Sequence, residues 1–345
     1  MSSRSRWVLF AVVAVVATLV ASAFAAREAQ RHEETFSVST EDAQTTIGQV
    51  EGGPRVAFRH TGLDERYGRV ALVPLADPSG PRAFTEAECD RVDATEHGAS
   101  CLRTERGVVT RFEAALLDDT WTEVGAEPLP GIPSRTRLSD DGRLVATTSF
   151  VAGHSYMSSG FSTATEIHEL DGTDHGNLEK FTLRLDGRAS SPRDRNVWGV
   201  TFVDDRTFYA TVGTGGRTYL VEGDLVERTL TSVGSGAECP AVSPDGTRVA
   251  FKVDVARGPE KLWQLAVLDL STGKRTILAH SPEGVDDQVE WLDRRTLLYG
   301  LPRADQPGVT DVWSIGTGRG ARPQLLIAHA WSPSVIRTAP QSGEQ

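Results

Sequence analysis

Pro240-Ala241-Val242-Ser243-Pro244-Asp245-Gly246-Thr247-Arg248-Val249-Ala250-Phe251 reads as a strand, a tight turn and a second strand. Pro244 fixes φ, Gly246 supplies the positive φ that closes the turn, and Val249 and Phe251 then alternate with Arg248 and Lys252. Further on, Leu268-Asp269-Leu270-Ser271-Thr272-Gly273 places a second turn between runs rich in Leu, Val and Ile, so residues 240–278 encode roughly four short strands. A lone sheet of that size cannot bury both faces, and further copies are expected.

The copies exist. Gly53-Pro54-Arg55-Val56-Ala57-Phe58-Arg59 aligns with Gly246-Thr247-Arg248-Val249-Ala250-Phe251-Lys252, and residues 89–130 make a second, degenerate unit. A third carries Ser139-Asp140-Asp141-Gly142, a fourth Asp204-Asp205-Arg206, and a sixth Asp293-Arg294-Arg295. The third residues of these turns, Asp141, Asp205, Asp245 and Arg294, stand 64, 40 and 49 positions apart. A four-stranded period of about 40 to 50 residues predicts an all-β propeller rather than a sandwich. Residues 50–336 divide into six blades, with five or seven as neighbouring counts because two units are degenerate. The 64-residue interval implies insertions near 152–163 and 171–195. At the chain's end, Ala330-Trp331-Ser332-Pro333-Ser334-Val335 again looks like the start of a unit and is expected to return to the first blade and close the ring.

Compartment and partners follow from charge and from the first residues. The chain of 345 residues carries a net charge of −11; the first 31 residues contribute +3, leaving −14 for the rest, which disfavours nucleic acid as a partner. Residues 7–26 lack any charge, and at about 1.5 Å per residue they are long enough for a bilayer core of roughly 30 Å. Residues 1–27 are therefore read as a transmembrane anchor with the N-terminus cytoplasmic, although Ala23-Phe24-Ala25 also fits a signal-peptide cleavage site that would release the protein. Residues 28–49 are expected to be a linker and 337–345 a tail. Cys89 and Cys101 flank a turn-rich stretch and suit a disulfide in an oxidising compartment, against the alternative of two reduced, partly buried thiols. Cys239 is read as a buried strand residue rather than a nucleophile.

The repeat of residues 240–251, followed by residues 268–273, resembles that of TolB-type β-propellers. With its N-terminal segment, the chain is similar to the membrane-anchored TolB-like translocation proteins of high-GC bacteria. The resemblance implies a six-bladed propeller in the cell envelope that binds other proteins, and it implies no chemistry.

No motif for chemistry survives inspection. Gly153-His154-Ser155-Tyr156-Met157 lacks the last glycine and the strand-to-helix context of a nucleophile elbow. Asp171, Asp174, Asn177 and Glu179 lack the spacing of a calcium loop and read as a solvated acidic insertion. Thr211-Val212-Gly213-Thr214-Gly215-Gly216-Arg217 reads as a hairpin turn, since no helix follows it. No catalytic residue, metal or cofactor is assigned. Aligning the units on their turns puts Ser134, Trp198, Glu238 and Asp287 at one channel position, followed by Arg135, Gly199, Cys239 and Gln288. With Asp286 and Glu290, set against Arg135 and Arg137, these residues predict a polar and mostly acidic mouth, suited to a basic peptide or a metal-bridged ligand with Trp198 as apolar anchor, against the alternative that they only solvate the channel and pair with one another. The expected protein is a monomeric, membrane-tethered binding or scaffold module for a protein or peptide of the envelope. A metal-assisted propeller hydrolase or lyase and a small-ligand sensor are the alternatives.

Overall fold

The computed structural model describes residues 44–151, 162–256, 258, 260–278, 284–285 and 287–338. The apolar segment 7–26, with its reading as anchor or signal helix, lies outside the described residues, as do the loop 152–161, Asp286 and the tail from residue 339. Among the described residues no helix is long and apolar enough to cross a membrane.

The turn at Ser243-Pro244-Asp245-Gly246 is held by short bonds between neighbours in sequence. Asp245 Oδ1 accepts from Ser243 Oγ at 2.6 Å and from Thr247 Oγ1 at 2.7 Å. Gly246, at φ 68°, donates its N–H to the Ser243 carbonyl at 2.8 Å, and Arg248 N–H donates to Ser243 Oγ at 3.0 Å. The third unit repeats these contacts: Ser139 Oγ donates to Asp141 Oδ1 at 2.6 Å, Gly142 N–H to the Ser139 carbonyl at 2.8 Å, and Leu144 N–H to Ser139 Oγ at 2.9 Å. Ser, Asp and Gly satisfy the turn locally, which is why the motif is visible in sequence.

Among the described residues the strands form six sheets, the blades of one propeller. Blade 1 contains Arg55–His60, Arg69–Pro74 and Ala83–Glu88, with Ala330–Ile336 as its innermost strand. Blade 2 runs from Arg91–Thr95 to Glu123–Pro128, blade 3 from Ile132–Leu138 to Asp174–Asn177, and blade 4 from Asn196–Phe202 to Thr229–Ser235. Blade 5 runs from Glu238–Val242 to Arg275–Ile277 and blade 6 from Glu290–Trp291 to Gln324–Ile327. The ring closes as the repeat at the chain's end implied: Arg55 pairs with Ile336, Val56 with Val335 and Ala57 with Ser334.

Two stretches differ from the sequence reading. The expected acidic insertion is in part the outer strand of blade 3, with Ile167 opposite Gly176, and its oxygens are engaged locally: Asp174 Oδ1 accepts from Gly176 N–H at 2.6 Å and Asn177 Oδ1 from Glu179 N–H at 2.7 Å. The residues after it form a hairpin, Thr182–Leu185 and Arg188–Ser190, that joins the outer edge of blade 4 and gives that blade six strands. Within the expected linker, Ile47–Val50 make one helical turn (α1), and Val50 packs into the apolar cluster shared by blades 1 and 2 with Leu72, Cys101 and Leu117. Gly62–Tyr67 fall in the smaller of two compact units, and within them Asp64 accepts the Arg66 N–H at 2.8 Å.

The core lies between blades. Phe58, Val73, Leu298 and Val312 join blades 1 and 6, while Phe208, Leu183, Ile167 and Leu144 join blades 3 and 4. Each face is apolar because it meets a neighbour, and a blade without neighbours would expose both faces. Cys89 and Cys101 are bonded, with Cα atoms 5.3 Å apart, at the edge of the cluster between blades 1 and 2.

The turn has a consequence for stability against acid. Hydrogen bonds from Ser243 and Thr247 hold the Asp245 carboxyl down at about 2, below its ordinary 3.8. A depressed carboxyl stabilises the fold fully above about pH 4, and that contribution is lost as pH falls towards 2. Urea midpoints measured from pH 5 to pH 2 should fall less steeply in Asp245→Asn than in the native chain, from a lower starting value; parallel profiles would show that the turn is not coupled to folding.

Candidate functional site

Each innermost strand crosses the channel from one mouth to the other, so a residue's position along the strand decides which mouth it serves. Ser134, Arg135, Trp198 and Glu238 stand at or near the starts of their strands and line one wide cavity of 540 Å³. Arg135 also borders a second cavity of only 20 Å³ deeper in the channel, together with Asp287 and Gln288. Glu290, at the far end, belongs to the opposite mouth with Arg137, Trp291 and Arg337, where the cavity is 50 Å³. Ser134, Arg135, Trp198, Glu238, Asp287, Gln288 and Glu290 therefore line the channel at three levels, and Asp286 lies outside the described residues. The single mouth expected from the turn alignment is corrected to this layering.

Local irregularities aim these side chains. The pairing of the inner strand with its neighbour slips between Trp198 and Thr201 in blade 4, between Glu238 and Ala241 in blade 5, and opposite Ala57 and Arg59 in blade 1. At each slip one residue is left-handed: Gly199 at φ 66°, Cys239 at φ 50° and Ser332 at φ 53°. Such bulges turn the preceding side chain into the channel. Gly199 has no alternative, since a Cβ there would stand 2.7 Å from the Cys239 Cα. Cys239 is buried with a free thiol, and its N–H donates to Thr211 Oγ1 at 2.9 Å.

From its middle to the opposite mouth the channel is ionic and spent on itself. Asp287, 1 % exposed, takes the Arg91 guanidinium at 3.1 Å and the Gly300 N–H at 3.2 Å. Arg137 of blade 3 reaches Asp93 of blade 2 at 3.1 Å and Glu290 of blade 6 at 2.5 Å, while Arg337 comes within 3.6 Å of Glu290. Asp93 also accepts from Leu138 N–H at 2.7 Å and from Ser334 Oγ of the closing strand at 3.0 Å. Burial alone would lower the Arg137 pKa, but the Asp93 and Glu290 carboxylates outweigh it and hold the guanidinium above its ordinary value. Arg91 goes the other way: burial first, and then the neighbouring Arg135, bring it down to about 10.

The charge of the wide mouth is the reverse of the expectation. Five cationic side chains, Arg91, Arg135, Arg217, Lys252 and Lys261, face two carboxylates, Asp194 and Glu238, among its described lining residues. Asp194 is already held by Thr214 Oγ1 at 2.6 Å and by Gly215 N–H at 2.7 Å. The acidic reading came from inner strands alone. Lys252 enters from the second strand of blade 5, Lys261 from the loop after it, and Arg217 follows the Gly215-Gly216 hairpin turn. Arg91 was hidden in the degenerate second unit. The turn at Ser243-Pro244-Asp245-Gly246 would by itself set Lys252 opposite Cys239, and only the slip between Glu238 and Ala241 sets it opposite Glu238. Trp263 adds an apolar wall with Lys252 Nζ 5.3 Å and Lys261 Nζ 4.8 Å from its ring, and Trp198 lies against Gly213, where a Cβ would come within 2.7 Å of the indole.

No protein-family model matches the sequence, and no curated protein matches it significantly. Among solved structures, TolB from Acinetobacter baumannii superposes with a TM-score of 0.60 at 14 % identity, over 84 % of this chain and 68 % of that one. The fold is that of the TolB-type β-propellers. A chain of a nidogen/laminin complex matches with a TM-score of 0.52 at 12 % identity, over 82 % of this chain and 98 % of that one. At such identities the likeness is one of fold, and the lining of this TolB-type channel has to be read from its own residues.

The ionic layer makes a stability prediction. Arg137→Ala leaves Asp93 and Glu290 buried without their shared partner and should cost about 3–5 kcal/mol in chemical unfolding. A loss below about 1 kcal/mol would mean that the carboxylates find other partners.

Proposed function

We propose that this chain is a non-enzymatic binding module of the cell envelope, a monomer whose wide channel mouth takes a segment of a partner protein. Residues 7–26 would tether it to the membrane with the N-terminus cytoplasmic and the propeller outside. The observation that carries the reading is the 540 Å³ mouth, in which Trp198 and Trp263 provide apolar walls beside charged side chains on a rigid sheet framework. Its size suits a few residues of extended chain. The Cys89–Cys101 bond fits an extracytoplasmic setting. In the nidogen/laminin structure a propeller of related fold belongs to a complex of two proteins, which is in keeping with such a role.

Binding is favoured over metal-assisted or acid–base chemistry by the state of the channel carboxylates. Of Asp287 and Glu238, the groups such chemistry would draw on, Asp287 is committed to Arg91 and the Gly300 N–H, and Glu238 stands opposite Lys252 in the blade 5 hairpin. A general acid or base needs a carboxyl that reaches substrate, and Asp287 reaches a guanidinium instead.

In-cell photocrosslinking from position 198 of the full chain should give one discrete adduct, and the same probe at the exposed Val226, on the outer turn of blade 4, should not. A partner-free result at position 198 overturns the reading. N-terminal sequencing of the mature protein tests the tether: a start near Arg27 with protein in the medium means a cleaved signal instead.

A further inference from the structure

We infer that the wide mouth selects an acidic peptide segment, one of whose carboxylates sits against Arg91 and Arg135 while an apolar neighbour packs on Trp198. The inference rests on the reading of the mouth as a partner site and adds the chemistry of what it takes.

The first argument is the sign of the local charge. The whole chain is at −11, yet the described lining of this one cavity carries five cations and two carboxylates. A cleft whose sign opposes that of the surrounding protein focuses potential inside itself and draws ligands of the opposite charge. Basic peptides, the expectation from the inner strands, would meet Lys252, Lys261 and Arg217 on the way in.

The second argument is the arrangement at the floor. Arg91 borders both the wide cavity and the small one beneath it. Asp287 grips it from below at 3.1 Å and the Trp331 ring lies 5.0 Å from its guanidinium carbon, so the planar group is fixed before any ligand arrives. Arg135 borders the same two cavities as Arg91, donates to the Ser134 carbonyl at 2.7 Å, and adds to the burial that lowers the Arg91 pKa, so the two cations repel each other. An anion placed between them removes that repulsion and gains charge-assisted hydrogen bonds. Asp287 cannot supply this from above, because it is buried under Arg91 and occupied by the Gly300 N–H.

The third argument separates a peptide from a bare anion. A volume of 540 Å³ far exceeds what one carboxylate or phosphate fills, and Phe150, Trp198 and Trp263 add aromatic surface to its wall. Trp263 carries two ammonium groups over its ring, which keeps cations at the entrance beside an apolar surface. Acidic and apolar groups in alternation along an extended chain match that pattern.

The test uses the full chain in detergent at low salt, with tryptophan fluorescence and calorimetry as readouts. Three end-blocked tripeptides serve as probes, with leucine flanked by two aspartates, two asparagines or two lysines, and inorganic phosphate is a fourth. The aspartate peptide should bind, weaken as salt rises, and lose at least about tenfold in affinity in Arg135→Gln. The exposed pair Arg217→Gln and Lys261→Gln, which leaves the folded core untouched, should weaken it roughly fivefold. Equal binding of the asparagine peptide, preference for the lysine peptide, or phosphate binding as tightly as the aspartate peptide overturns the inference. If none of the peptides binds while crosslinking from position 198 still yields a partner, the acidic specificity is wrong and the binding module stands. If the aspartate peptide binds but no partner is captured, the acidic site stands and the partner-protein reading fails.

Discussion

Everything in the propeller depends on the pairing of Ala330–Ile336 with Arg55–His60. Until the end of the chain lies beside its beginning, blade 1 lacks its innermost strand and the apolar layers on either side of it, with Phe58 and Val335 in one and Ala57 and Ile336 in the other, are incomplete. Closing a loop of this length costs conformational entropy, but that cost grows only slowly with length, while the layers it completes are shared by every neighbour around the ring. Closure also pairs a strand edge that an open ring would present to other chains.

Closure creates the channel, and the channel divides its charges by depth. From midway to the narrow mouth, where water is scarce, Arg91 with Asp287 and Arg137 with Asp93 and Glu290 form pairs between blades 2, 3 and 6. Buried charges persist there only because each has a partner on another blade. At the wide mouth water is available and strict pairing is no longer required, so cations from second strands and loops accumulate beside two tryptophans. The deep layer ties the blades together, and the shallow one is the mouth for which binding is proposed. Arg91 belongs to both, which makes it the point where a ligand would touch the framework.

The bulges connect these layers to the sequence. Gly199, Cys239 and Ser332 fall at one place on three inner strands and are all left-handed, though only one is glycine. A turn motif such as Ser243-Pro244-Asp245-Gly246 can be recognised because its residues bond to one another across two to five positions. A bulge at Cys239 cannot, because its N–H is satisfied by Thr211 on the neighbouring blade.

The sequence by itself determined the repeated turn and strand, a period that favours six blades, the strand that closes the ring and several of the inner-strand residues that face the channel, because those features rest on local hydrogen bonds and on alternation along a strand. Only the tertiary structure decided the sign of the mouth. Arg91, Arg217, Lys252 and Lys261 come from three blades and stand in no fixed spacing to Trp198 or Glu238, so they meet only when the blades are set side by side. It likewise decided that Asp287 and Glu290 are spent in ion pairs with Arg91 and Arg137, since a carboxylate's partner across a channel is chosen by proximity in space and leaves no trace in the order of the chain.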